Sequence, residues 1–184
     1  MSISGLKDAE AMAAKMTFRS KAALGLFLVK ALPLLITVVT VELYISQRFL
    51  IGGDDQVDRC LPGTRIYLID TYNKDIWRGD LIAFRAERMA PFFRDGKVIV
   101  KIAAGVTGDH VKVGSQQTTI NATMIIQGLP LADKLGKPPS AFKRDETIPA
   151  AAYWVTGKVP KSFDSRYWGY VYDDQVIGRA YALF

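Results

Sequence analysis

Three short stretches hold the residue types that could do chemistry. VDRCLPGTRIY (57–67) carries the only cysteine, Cys60, directly before a Leu-Pro-Gly turn and a strand. VIVKIAAGVTGDHV (98–111) sets Lys101 inside an apolar run. Its neighbours Val98, Ile99, Val100, Ile102 and Ala103 leave no polar face, so the strand reads as covered on both sides. A lysine in that position must find a partner or give up its proton, and a neutral amine is a general base. KSFDSRYWGYV (161–171) places Asp164 and Arg166 two apart, on one face of an extended strand, where they can pair. Ser162 and Ser165 add hydroxyls beside them. Each stretch also has a structural reading: a solvent-facing lysine, a group of core aromatics at Tyr167 and Trp168, a cysteine that is only a small apolar residue.

Composition removes several classes of function. The net charge is +6, but no run of Lys and Arg exceeds two residues, so no local patch for nucleic acid is written and none is expected as a partner. One His and one Cys are too few for an ordinary structural zinc site, and one Cys excludes an internal disulfide. The acidic pairs Asp54-Asp55 and Asp173-Asp174 fit no calcium loop and read as solvated turns. Neither a metal nor a cofactor is expected.

The elements that must position these residues fall into two parts. Residues 22–46, AALGLFLVKALPLLITVVTVELYIS, are long and apolar enough to cross a bilayer as a helix. Lys30 and Glu42 lie near its ends, and Pro33 is a tolerated kink. The stretch is longer than a signal-peptide core, and SQRFLIGG after it holds no small-residue cleavage pattern, so an uncleaved anchor is expected. Lys7, Lys15, Arg19 and Lys21 precede it, against Asp8 and Glu10, which sets residues 1–21 in the cytoplasm and residues 47–184 outside it.

That second part reads as β-rich. Expected strands are 65–70, 80–86, 97–103, 110–114, 118–122, 124–128, 152–158 and 176–184, separated by Gly, Pro, Asn and Asp turn signals. Residues 129–150, polar and proline-rich, read as a surface loop. FLIGG (49–53) and RMAPFFR (88–94) are apolar stretches that read equally as bilayer contacts and as core.

Taken together, RGDLIAF (78–84), VKIAAGVTGDHV (100–111) and SFDSRYWGYV (162–171) resemble the boxes of the bacterial type I signal peptidases, in that family's order and after an N-terminal anchor. The likeness is greater still to the TraF-type peptidases of conjugative transfer. It spans roughly residues 20–180, with Thr107 where the family usually has proline.

The resemblance implies an all-β catalytic domain at a membrane surface, working through a Ser–Lys dyad. The lysine maps onto Lys101, the hydroxyl that orients it onto Ser162, and the bracing pair onto Asp164 and Arg166. TraF-type members carry Ser-x-Pro at the nucleophile, whereas this chain has Cys60-Leu61-Pro62, so Cys60 takes the serine's place. With the alternative spacing Ser-x-x-Pro, Arg59 would fall there and the dyad would be lost.

The resemblance further implies a bacterial inner-membrane protein of one span with a periplasmic catalytic domain. It would be a peptidase or cyclase acting on a membrane-tethered pilin or secreted precursor in a conjugative type IV secretion system. The alternative is a subunit of a secretion or pilus assembly that keeps the fold without the chemistry.

Overall fold

The computed structural model describes residues 3–54 and 60–183. The chain divides into two compact units, Met1–Gln47 and Arg48–Phe184. The first is helix α1 (Ile3–Arg48) up to its last residue. Within it, Gly25–Arg48 has a mean hydropathy of 2.1, and none of it is buried. A soluble protein would cover such a helix, because each exposed Leu or Ile side chain forgoes about 1.5–3 kcal/mol of burial. Twenty-four helical residues span about 36 Å, enough for a hydrocarbon core. Pro33 sits inside the helix, and the Thr37 hydroxyl donates to the Pro33 carbonyl at 2.9 Å.

The second unit is mostly β. A seven-stranded antiparallel sheet runs in the order β1 (Phe49–Gly53), β2 (Ile66–Asp70), β11 (Val176–Ala182), β3 (Leu81–Arg85), β4 (Val98–Gly105), β9 (Ala152–Thr156), β10 (Val171–Tyr172). A four-stranded sheet runs β7 (Thr123–Gln127), β6 (Gln117–Ile120), β5 (His110–Val113), β8 (Arg144–Thr147). The main core gathers inward residues of both: Ile82, Phe84, Ile99 and Trp154 from the large sheet, Val111, Val113 and Ile120 from the small one. A smaller cluster of Ile69, Ala83 and Ala180, with Val100 packed on it, covers the opposite face of the large sheet. β4 therefore has apolar neighbours on both faces, as its sequence implies, and only Val98 at its start is exposed. At its far end β4 passes so close to the small sheet that a Cβ on Gly105 would lie 2.6 Å from Ile148 Cδ1.

All eight expected strands form. Three more do as well: β1 from FLIGG, the two-residue β10, and β8. β8 lies inside residues 129–150, which correct the expectation of a surface loop. Leu129, Leu131, Ala132, Phe142 and Ile148 are buried there, and short 3₁₀ turns at Asp133–Leu135 and Pro139–Phe142 carry the chain between them. The proline content hid a segment anchored by five irregularly spaced apolar residues rather than by a periodic run. RMAPFFR is divided: Met89 and Phe93 join the core, and Phe92 is exposed.

Candidate active site

β4 carries Lys101 opposite Ile82 of β3, on the face that also holds Ile99 and Ala103. The side chain is 1% exposed. Its amine donates to Ser162 Oγ at 2.9 Å, its only hydrogen bond to another side chain among the described residues. Ser162 is fully buried in the loop between β9 and helix α2 (Ser165–Trp168). Its own N–H donates to the Val159 carbonyl at 3.0 Å.

The loop that holds Ser162 is braced by Asp164 and Arg166, both without exposed surface. They pair, but not on a strand. Asp164 is the N-cap of α2 and accepts the Arg166 backbone N–H at 3.3 Å, as capping carboxylates do. A cap and the second helical residue are two apart in sequence, the same spacing that suggested one face of a strand. The Arg166 guanidinium donates Nε to Asp164 Oδ1 at 2.8 Å and Nη2 to Oδ2 at 3.0 Å. Its remaining N–H groups reach the carbonyls of Gln127, Gly128, Pro160 and Ser162 at 2.7–3.2 Å. One side chain thus ties the end of β7, the Ser162 loop and α2 together. Ser165 contributes to the scaffold, its Oγ accepting the Val155 N–H at 2.8 Å.

Cys60 is half-buried. It lines one cleft of about 150 Å³ together with Leu61, Tyr67, Phe93 and Lys101. Its carbonyl accepts the Lys158 N–H at 2.8 Å, which fastens the cysteine to the end of β9. Gly157 explains how close these pieces come. A Cβ there would lie 2.5 Å from Ser162 Oγ and 2.8 Å from the Cys60 carbonyl oxygen, so only glycine lets Ser162 and the Cys60 backbone approach from either side. Gly157 is a site residue that sequence reading missed. Its only signal was a glycine at the end of a strand, which reads equally as a turn. The structure thus brings Cys60, Lys101, Ser162, Asp164 and Arg166 into one neighbourhood. Arg59, the alternative at the nucleophile position, lies outside the described residues.

The first two boxes are joined by an ion pair. Arg78 donates Nε to Asp109 Oδ2 at 3.1 Å, with a second, shorter contact from Nη2 to Oδ1. Asp109 also accepts from Val106 N at 2.9 Å and Asn121 Nδ2 at 2.8 Å. Burial pushes its carboxyl up, but the Val106 N–H, Arg78 and Asn121 outweigh that and hold it below the usual carboxylate range. Thr107 bonds the Pro149 carbonyl through its hydroxyl at 3.2 Å. RGDLIAF, which pairs along β4, and the GDH turn are therefore framework that fixes the C-terminal end of that strand. Among the described residues, no group of three or more His, Cys, Asp or Glu is placed to hold a metal ion.

The family model described as signal peptidase, peptidase S26, matches residues 25–184. The chain belongs to this signal peptidase family. A probable signal peptidase I-2 of Synechocystis sp. is 26% identical over 112 residues, covering 60% of this chain and 49% of that protein. A signal peptidase I of Leptolyngbya laminosa is 31% identical over 113 residues, covering 58% and 52%. This signal peptidase relative thus spans about half the length of the curated proteins it matches. A signal peptidase I of Enterococcus faecalis V583, known from a crystal structure, is 26% identical and matches 61% of this chain and 99% of its own, with a TM-score of 0.38. Family membership and the bare apolar helix together point to membrane anchoring.

Proposed function

We propose that this protein is a membrane-anchored thiol peptidase of the TraF type, acting on a pilin or similar secreted precursor of a conjugative type IV secretion system. One observation carries the reading. The chain's single cysteine lines the same cleft as a fully buried lysine whose amine is held by one serine hydroxyl and, among the described residues, paired with no carboxylate. In this reading Lys101 takes the thiol proton of Cys60. The thiolate attacks the substrate carbonyl, with a backbone N–H at Cys60 stabilising the oxyanion. The departing amine takes the proton back from Lys101 as the peptide bond breaks, leaving a thioester. Ser162 orients the lysine, and Asp164 with Arg166 keeps Ser162 in place.

The sheet supports a peptide substrate. β3 pairs with β4 from Val98 through Ile102, but β9 joins on the other side only from Ile102 onward. Among the described residues, the edge of Val98–Lys101 away from β3 is thus without a strand partner beside the cleft, where an extended substrate can add. Residues 1–21 lie in the cytoplasm and the β unit in the periplasm under this proposal, from the basic residues before the span.

The cysteine favours a cyclase. A thioester is attacked readily by amines and poorly by water, so a thiol in place of serine selects an amine acceptor. The precursor's own N-terminus then attacks the thioester carbonyl, Lys101 accepts its proton, the C–S bond breaks and Cys60 leaves as the thiol. Intact-mass analysis of a candidate pilin expressed with and without this protein tests the scheme. A cyclised chain is lighter than the hydrolysed one by one water, and Cys60→Ser shifts the ratio toward linear product. Only linear product with the wild type rejects the cyclase and leaves a thiol peptidase. Full processing by Cys60→Ala rejects Cys60 as nucleophile. No processing together with no labelling by a thiol-directed probe points to the non-enzymatic assembly subunit.

A further inference from the structure

A second cleft, of about 470 Å³, lies apart from Cys60 and Lys101. Its walls include Trp168 and Gly169 at the end of α2, Tyr170 just before β10 and Tyr172 within it, Arg144 at the start of β8, and Arg88. The aromatic wall is built into the fold: Trp168 packs on Phe84 at 5.9 Å and Tyr170 edge-on to Trp154 at 5.5 Å. Burial, then the neighbouring Glu146 carboxylate, pushes the Tyr170 phenol up, so it remains a neutral hydroxyl. No hydrogen bond of ordinary geometry joins the two.

Polar groups around this cleft lack partners. Among the described residues, Arg144 Nε, Trp168 Nε1 and Tyr170 OH are buried with no hydrogen bond. Natural proteins rarely leave several such groups in one place. All three can donate, so what they lack is an acceptor. Among the described residues Arg144 spends only Nη1, on Glu146 at 3.2 Å. Its Nη2 edge faces Gly169, whose added Cβ would lie 3.6 Å away. Arg88 stands exposed at the rim with φ of 55°, a left-handed conformation that costs energy outside glycine. Two guanidiniums are matched by two carboxylates, Glu87 and Glu146, which leaves little net charge. A dianion would meet repulsion there, whereas a single carboxylate on an apolar body suits both the donors and the aromatic wall.

We infer that this cleft binds the C-terminal carboxylate of a peptide with an apolar last residue, the carboxylate taking the idle Nη2 donors of Arg144 beside Gly169 and the side chain lying on Trp168 and Tyr170. The assignment is independent of what Cys60 does. The test is calorimetric titration of the full-length protein in detergent micelles with N-acetyl-Gly-Gly-Phe as the free acid, as its C-terminal amide, and with inorganic phosphate. The acid should bind saturably, and the amide and phosphate at least about tenfold more weakly, the scale of one charge-assisted hydrogen bond. Arg144→Gln should weaken the acid by about as much and erase its advantage over the amide. Equal affinity for acid and amide, phosphate binding as tight as the acid, or no binding at all overturns the assignment. If Arg144→Gln does not fold, Arg88→Gln at the exposed rim decides: several-fold weaker binding of the acid supports it and unchanged binding overturns it. Prior alkylation of Cys60 should leave the titration unchanged; loss of binding would place the peptide in the Lys101 cleft instead and overturn the proposal.

Discussion

Arg166 and Arg144 bring the same guanidinium to two regions of one β unit and end in opposite states. Arg166 has no exposed surface, and every N–H it owns reaches an oxygen of Asp164, Gln127, Gly128, Pro160 or Ser162. Arg144 is half-buried over the Trp154 ring at 6.0 Å and, among the described residues, bonds Glu146 alone and leaves Nε without a partner. A charge with all its donors used is a brace, since nothing is left over to recognise a ligand. A charge held in place with donors idle is what a binding site requires before its ligand arrives. The Ser162 loop belongs to the first kind and the aromatic cleft to the second.

The largest effect should come from breaking the brace. Arg166→Ala leaves Asp164 buried and unpaired, which costs about 3–5 kcal/mol. Urea unfolding should show a much lower midpoint and, where folded protein remains, processing should fall because Ser162 is no longer held. A midpoint equal to wild type would mean that the network is dispensable.

Next in size is the base. Lys101→Arg keeps a cation but cannot serve as a neutral base, and processing should drop at least about a hundredfold while the unfolding midpoint moves less than for Arg166→Ala. Retained processing would remove Lys101 from the chemistry. Ser162→Ala should reduce activity by less, since it removes orientation and not the base itself.

Acid should act on the framework. Asp109 and Asp70 are both held below the usual carboxylate range in the folded chain, Asp70 chiefly by its hydrogen bonds from Arg48. A depressed folded value means that the unfolded chain binds protons first. Their contribution is therefore complete above the unfolded value, about 3.9, and is lost as pH falls through the lower folded values. Unfolding midpoints measured from pH 7 down to pH 3 should fall in acid, and Asp109→Asn should flatten that slope while lowering the midpoint at pH 7. An unchanged slope would remove Asp109 from the acid response.

The smallest effect on stability belongs to the idle arginine. Arg144→Gln breaks only a partly exposed pair and should cost about 1 kcal/mol or less in the same urea assay. A loss as large as that of Arg166→Ala would make both arginines braces and abolish the contrast.

Much of the fold was legible in the sequence because its signals are local. Apolar residues in a run of more than twenty announce the helix, and alternating or β-branched stretches between turn residues announce eight strands. β8 and the buried stretch around it escaped, because RDET has no apolar face of its own and Leu129, Leu131 and Phe142 are held by distant partners. The buried lysine was legible because a charge within five apolar neighbours has few places to go. The pairing of Asp164 and Arg166 was anticipated with the wrong local geometry, since a two-residue spacing fits a strand face and a helix cap alike. Gly157 was invisible, as its role lies in what approaches it from Cys60 and Ser162, more than 90 residues and only five residues away in sequence.

By itself the sequence determined which residue types are available and how they are spaced: one thiol, one lysine in an apolar strand, one Asp-Ser-Arg turn, one span-length apolar helix. Local propensity and burial are sums over neighbours along the chain, so they can be read from it. The tertiary structure alone decided that the Lys101 amine meets Ser162 across 61 residues, that Arg166 spends all its donors on the loop holding that serine, and that Arg144 keeps some of its own. Those facts depend on which strands lie side by side and where each β-bridge ends. Sheet register is set by the fit of whole faces against one another, and no single stretch of sequence contains it.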